Sequence, residues 1–235
     1  MKHLLMVFSL FFALTSAWGA GTVTHLAGTL SVKRSDGSVR LLSVKSQVLQ
    51  GDTLQTEKDS YAQVKFTDGG IMTLKPNTQM VVKDYKYEPQ KPAEDALSVG
   101  LLKGGLRAVT GLVGKRGDKD AYKMVTGTAT IGIRGTIFDA DDCKSSTCVK
   151  AGADPADKKE GDVLEAGVYV SVRDGEVSVT NPAGTINLAA GQFGFVAAST
   201  IAPAVLPGDP GLSAIPSTSL LETVTSGGRQ GNQCE

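Results

Sequence analysis

Apolar residues recur at every second position over most of this chain, from Thr22 to Val196. Leu30 and Val32, Val64 and Phe66, Met72 and Leu74, Val168, Val170 and Val172, and Val177 and Val179 each alternate with polar or small residues. That period sets one face of an extended strand in a core and the other toward water. Asp36-Gly37, Asp68-Gly69 and Asp174-Gly175 fall between such runs. Asp-Gly tolerates the positive φ that a type I′ hairpin turn requires, so each dipeptide predicts a turn. The same dipeptides also suit solenoid corners, and the pattern does not choose between the two. The best helical stretch, 93–106, is interrupted by Gly100, Gly104 and Gly105, which a helix tolerates poorly. The chain therefore reads as all-β.

An internal echo supports short, turning strands. Residues 28–41 align without a gap on residues 175–188, with matches at Gly28/Gly175, Ser31/Ser178, Val32/Val179, Gly37/Gly184 and Leu41/Leu188. Each copy reads strand, turn, strand. Residues 85–95, with Pro89 and Pro92 among charges, read as a loop between subregions. Beyond residue 200 the character changes. Pro203, Pro207, Pro210 and Pro216 among Gly and Ser suit an extended or loosely docked tail over 201–235 better than strand ladders.

The amino terminus differs from the rest. Lys2 and His3 precede an apolar run over 4–14, followed by small residues. The run is too short for a bilayer, which needs about 20 residues, and it reads as a cleaved secretory signal peptide. Ala17 with Gly19 places the cut after Gly19, and Thr15 with Ala17 offers one after Ala17. The division expected is a signal peptide over 1–19, an all-β domain over 20–200 and the tail. No later segment reads as a membrane span, so the mature protein is expected in the periplasm or secreted. In such an oxidising compartment Cys143 and Cys148 are the natural disulfide pair, leaving Cys234 over.

Composition narrows the chemistry. The 235 residues include 28 Gly, 6% aromatic residues and 24 cationic against 24 anionic side chains, so no net field steers the chain toward nucleic acid. His25 is the one histidine beyond the leader, and no base and orienter surround it in sequence, so no catalytic residues and no enzymatic role are expected. Asp139, Asp141 and Asp142 before the cysteine pair, and Asp154, Asp157, Glu160 and Asp162 after it, read as a solvated acidic loop. They lack the spaced ligands and Gly of a calcium loop, and no metal or cofactor is expected. The basic counterpart, Lys103, Arg107, Lys115, Arg116, Lys119 and Lys123, is a solvated segment or an anion-binding patch for an envelope polysaccharide or lipid. Arg134, between Ile133 and Gly135, reads as a clamp that caps backbone carbonyls or pairs with a carboxylate, in preference to a ligand-binding residue.

Several segments together resemble the periplasmic FecR-type domain: Gly28-x-Leu-x-Val32, Gly51-Asp52-Thr53-Leu54-x-Thr56, Ala62-x-Val-x-Phe-x-Asp68-Gly69, Leu74-x-Pro76-Asn77-Thr78, Ile133-Arg134-Gly135-Thr136-x-Phe138, and Gly175-x-Val-x-Val179 to Gly191-Gln192. The resemblance covers about residues 26 to 196. It implies a twisted β-solenoid or β-roll of short strands that works by protein contact, with Gly51, Asp52, Thr56, Ile133, Arg134, Gly135, Thr136 and Phe138 as family-motif positions of structural character. In the best-studied branch such a domain follows a cytoplasmic anti-sigma segment and a membrane helix, and relays the state of an outer-membrane receptor. Here a signal peptide precedes the domain, so the likeness is to exported FecR-domain proteins and sigma regulation is not carried over. The expected function is binding or scaffolding of another cell-envelope protein, with no nucleic-acid partner. The alternative is a polysaccharide- or lipid-binding module that uses the basic cluster.

Overall fold

A computed structural model describes residues 19–118, 120–145, 147–151 and 162–212. Apart from the 3-10 turn Pro92–Glu94, the regular structure is extended: β1 Gly21–Ala27, β2 Leu30–Lys33, β3 Val39–Leu42, β4 Gln47–Val48, β5 Thr53–Thr56, β6 Tyr61–Phe66, β7 Ile71–Leu74, β8 Gln79–Lys86, β9 Ala96–Val109, β10 Tyr122–Val125, β11 Thr130–Asp142, β12 Val168–Asn181, β13 Gly184–Ala189, β14 Phe193–Val196 and β15 Ala204–Leu206. The alternating residues all face inward: Leu30, Val32, Val64, Phe66, Met72, Leu74, Val168, Val170, Val172, Val177 and Val179 are buried. No helix among the described residues is long and apolar enough to cross a membrane.

The strands form one mixed sheet organised by three long members, β9, β11 and β12. The first half of β9 pairs with β8 and, in parallel, with β10, while its second half pairs with β7 and β11. Two branches leave β9 in consequence. One runs β7-β6-β1-β4, the other β8-β5-β2-β3, and a single buried cluster draws side chains from both. β11 and β12 repeat the device: the start of β11 meets β10 and the end of β12, and its end meets β9 and the start of β12. β12 then carries β13 on one half and β14 on the other.

Each long strand bends at a glycine. Gly104 in β9, Gly135 in β11 and Gly175 in β12 have φ of 76°, 68° and 79°, a region that costs a side chain roughly 1–2 kcal/mol. Asp174-Gly175 is therefore a bend inside a continuous strand and not a turn between strands. Asp36-Gly37 and Asp68-Gly69 do lie in turns, between β2 and β3 and between β6 and β7. The start of the C-terminal segment is docked: β15 pairs with β14, and Lys150 bridges to Leu212. Residues 1–18 of the expected signal peptide over 1–19, the rest of the expected tail from 213, and Cys234 lie outside the described residues.

Both halves of the internal echo are hairpins, β2–β3 and the end of β12 with β13. Their registers differ by one residue. Ser31 faces Leu41 in the first, whereas Val177, not the matching Ser178, faces Leu188 in the second. A one-residue slip sends a side chain to the opposite face. Leu188 is buried and Leu41 is 75% exposed.

Candidate functional site

The motif at the β11 bend divides into residues that hold the bend and one that leaves it. Ile133 and Phe138 are fully buried on either side. Gly135 lies against Gly175, where a Cβ on Gly175 would come within 2.7 Å of the Gly135 carbonyl oxygen. The Thr136 hydroxyl donates to the Glu176 carbonyl at 2.8 Å. The backbone of Thr136 is tied in turn to Thr110: its N–H donates to Thr110 Oγ1 at 3.0 Å, and the Thr110 hydroxyl donates to its carbonyl at 2.8 Å. The same reciprocal bond recurs at the β9 bend, where Thr78 accepts from the Gly105 N–H at 3.0 Å and donates to the Gly105 carbonyl at 2.8 Å. Thr56 completes that corner by donating to the Lys75 carbonyl at 2.6 Å and accepting from the Thr78 N–H at 3.0 Å. Buried threonine hydroxyls thus satisfy the backbone groups that a bent strand frees from its ladder.

Gly51 and Asp52 hold another corner. Gly51 takes a φ of 85°, and the buried Asp52 carboxylate accepts from the Leu49 N–H at 2.7 Å and from the Arg34 guanidinium. Burial pushes the Asp52 carboxyl above its ordinary pKa, opposed by those two partners. Asp68 does comparable work by accepting from the Gly70 and Val113 N–H groups at 3.0 and 3.1 Å.

The acidic run before the cysteines is no solvated loop. Asp139, Asp141 and Asp142 lie on β11, at most 6% exposed. Asp139 stands directly across from Arg107 on β9. It accepts from Arg107 Nε and Nη2 at 2.9 and 3.2 Å, and from Arg173 Nε at 2.7 Å. Lys75 Nζ donates to both oxygens of Asp141, at 2.8 and 2.9 Å. Desolvation drives the Asp141 carboxyl upward, against the pull of Lys75. Asp142 accepts from the Lys144 and Ser145 N–H groups, closing the turn into the Cys143–Cys148 disulfide, whose Cα atoms lie 5.1 Å apart. Asp154, Asp157 and Glu160 lie outside the described residues.

The basic cluster is divided in the same way. Arg107 is held by Asp139. Arg116 reaches both Asp95 oxygens at 2.9 and 3.2 Å, donates to the Glu88 and Pro89 carbonyls at 2.9 and 2.8 Å, and stacks 4.9 Å over the Tyr87 ring. Lys103, Lys115 and Lys123 are exposed on β9, in the loop after β9 and on β10. Lys119 lies outside the described residues. His25 Nδ1 sits 2.8 Å from Gln63 Oε1. Among the described residues no group of three or more His, Cys, Asp or Glu side chains is placed to hold a metal.

Arg134 is the motif residue that the fold does not absorb. Its side chain is 51% exposed, and its nearest carboxylate is Asp120 at 3.5 Å, itself 70% exposed. Arg134 lines an open groove of about 620 Å³ together with Lys115, Arg116, Asp118 and Glu176. Among the described residues its one ion pair is with Asp120, while the Thr136 and Glu176 carbonyls at the bend accept from the Thr110 and Thr136 hydroxyls. Arg134→Ala is accordingly expected to shift stability by less than about 1 kcal/mol, the range of an exposed ion pair. A thermal melt checks this, and a much larger loss would return Arg134 to the clamp role. The sequence named Arg134 but gave no sign that Thr110 and Thr78 do the clamping.

Comparison with solved structures finds two crystal structures of a proposed anti-sigma factor from Parabacteroides distasonis, each 18% identical with a TM-score of 0.45. The match covers 67% of this chain and 60% of that one. A cell surface anchoring domain matches at 23% identity and a TM-score of 0.26, over 26% of this chain and 80% of its own. No curated protein matches. The family model for FecR protein matches residues 52–178, from the Asp52 corner to the β12 strand beyond the Gly175 bend, and the chain belongs to the FecR family.

Proposed function

We propose that this chain is an exported, non-enzymatic FecR-family domain that binds another protein of the cell envelope, and that the groove at the β11 bend is its contact surface. The observation that carries this reading is the contrast within the motif: every other motif side chain is spent on the fold, while Arg134 stands half-exposed beside Lys115 in an open groove. Charged groups held loosely at a surface set specificity and encounter rate for a charged partner face. The Cys143–Cys148 bridge supports an oxidising compartment, hence the periplasm or the exterior. The polysaccharide or lipid reading draws less support, since Arg107 and Arg116 are committed to Asp139 and Asp95.

Affinity capture from envelope extract tests the proposal. The wild-type chain is expected to recover a defined protein, and the Lys115→Glu/Arg134→Glu variant, folded as judged by its melting midpoint, is expected to lose it. Recovery of no specific protein, or equal recovery by both, overturns the proposal.

A further inference from the structure

We propose that the free edge of β3 is a second docking site, which takes up an extended acidic segment of a partner protein as an added strand. This rests on the reading of the chain as a protein-binding module, but it uses a different surface. β3 precedes residue 52, outside the part that matches the family.

Among the described residues β3 pairs with β2 alone and so ends its branch of the sheet. Its four residues pair with β2 in unbroken register. An exposed edge offers unpaired N–H and C=O groups, and proteins ordinarily blunt it with charge, proline or a bulge. β3 carries one charge, Arg40, and on either side of it presents Val39 and Leu41, 68% and 75% exposed, the two most exposed large hydrophobic side chains among the described residues, with Val44 at 42% just beyond. Their exposure follows from the register of the hairpin. The slip that separates it from its internal relative turns Leu41 outward, although the matching Leu188 is buried.

The charge around this edge selects the occupant. Lys33, Arg40 and Lys45 are exposed there, and none takes part in an ion pair among the described residues. Arg34 is already bound to Asp52, and Asp36 is turned into its own loop by accepting from the Ser38 N–H at 2.8 Å. Arg40 lies between Val39 and Leu41, so its side chain takes the opposite face of the strand. An added strand would therefore set a carboxylate beside Arg40 and apolar side chains beside Val39 and Leu41. Main-chain bonds supply affinity in such strand addition, and alternate side chains supply specificity. A second copy of β3 in that place would bring Arg40 toward a like charge, which cross-strand pairing disfavours.

The test uses the full chain and synthetic peptides of alternating Glu and Val, alternating Lys and Val, and the Glu/Val sequence interrupted by Pro. The Glu/Val peptide is expected to bind at least tenfold more tightly than the other two and to protect the β3 amides from exchange. Val39→Thr/Leu41→Thr, which keeps strand propensity, is expected to weaken that binding at least tenfold, and Arg40→Glu to reverse the preference between Glu and Lys. Equal binding of the peptides overturns the proposal, as does protection that maps away from β3. Self-association of the chain that Leu41→Thr abolishes also overturns it, by making a second copy the occupant. An envelope protein captured equally by wild type and the β3 double variant, with no peptide binding, removes this proposal and leaves the groove reading intact. Failure of capture altogether removes the groove reading instead.

Discussion

Asp141→Ala is expected to destabilise the domain by about 3–5 kcal/mol, because it breaks a buried ion pair by removing the carboxylate that Lys75 Nζ meets at both oxygens. Both side chains of the pair are at most 10% exposed, and they join the residue after β7 to the end of β11. For a domain of this size that loss lowers the melting midpoint by on the order of 10 °C. Removing both charges is a different experiment. Lys75→Met/Asp141→Leu exchanges the pair for apolar groups of similar volume, and is expected to recover most of the stability, since a buried pair gains little over a packed hydrophobic replacement. Paired thermal and denaturant melts of the two variants check the prediction. A single variant with an unchanged midpoint would mean that water reaches the pair.

Gly104→Ala is the second large effect. A Cβ there would lie 2.6 Å from both Thr78 Cα and Thr78 Oγ1 and 2.8 Å from the Asn77 carbonyl oxygen, at a φ of 76°. The positive φ alone costs roughly 1–2 kcal/mol. The clash with backbone cannot be relieved by a side-chain rotation, and moving Thr78 breaks its reciprocal bonds to Gly105. A loss of several kcal/mol is expected. Gly69→Ala separates the two causes, since its φ is 87° with nothing within 4 Å of the added Cβ. Its variant should lose only the strain, and denaturant midpoints should place it well above Gly104→Ala. Equal losses would show that the close approach at the β9 bend carries no energy.

The two variants mark what was legible in the sequence. Period-two alternation picked the inward-facing side of the runs it named, such as those of Val64 and Val170, because that side follows from the local pleat. The Cys143–Cys148 pairing was local in the same sense. The Lys75–Asp141 pair was hidden, because its members stand 66 residues apart and the β7–β9 and β9–β11 pairings together bring them side by side. From sequence, three aspartates within four positions read as solvated; in the fold Asp139 meets Arg107 of β9 and Arg173 of β12, Asp141 meets Lys75 just after β7, and Asp142 accepts from the turn that follows it. The Asp174-Gly175 turn failed for a related reason. A glycine with positive φ serves a strand bend as well as a hairpin, and the pairing that decides between them is non-local. Arg134 was found by its motif, whereas Thr110, which ties the Thr136 backbone two residues on, was singled out by no pattern.

The division of the balanced charge also changes character. The basic and acidic segments flanking the motif partly neutralise one another across β9 and β11, through Arg107 and Asp139, and at the groove Arg116 is held by Asp95 while Lys115 and Arg134 are exposed. The central claim is that a protein partner docks on that groove. Its most direct test is a photo-reactive residue placed at Lys115 in growing cells, with the same residue at the exposed turn position Lys58 as comparison. A single discrete adduct from position 115, absent from position 58 and lost when Arg134→Glu is added, is the predicted result. No adduct from position 115, or the same adduct at equal yield from position 58, would contradict it.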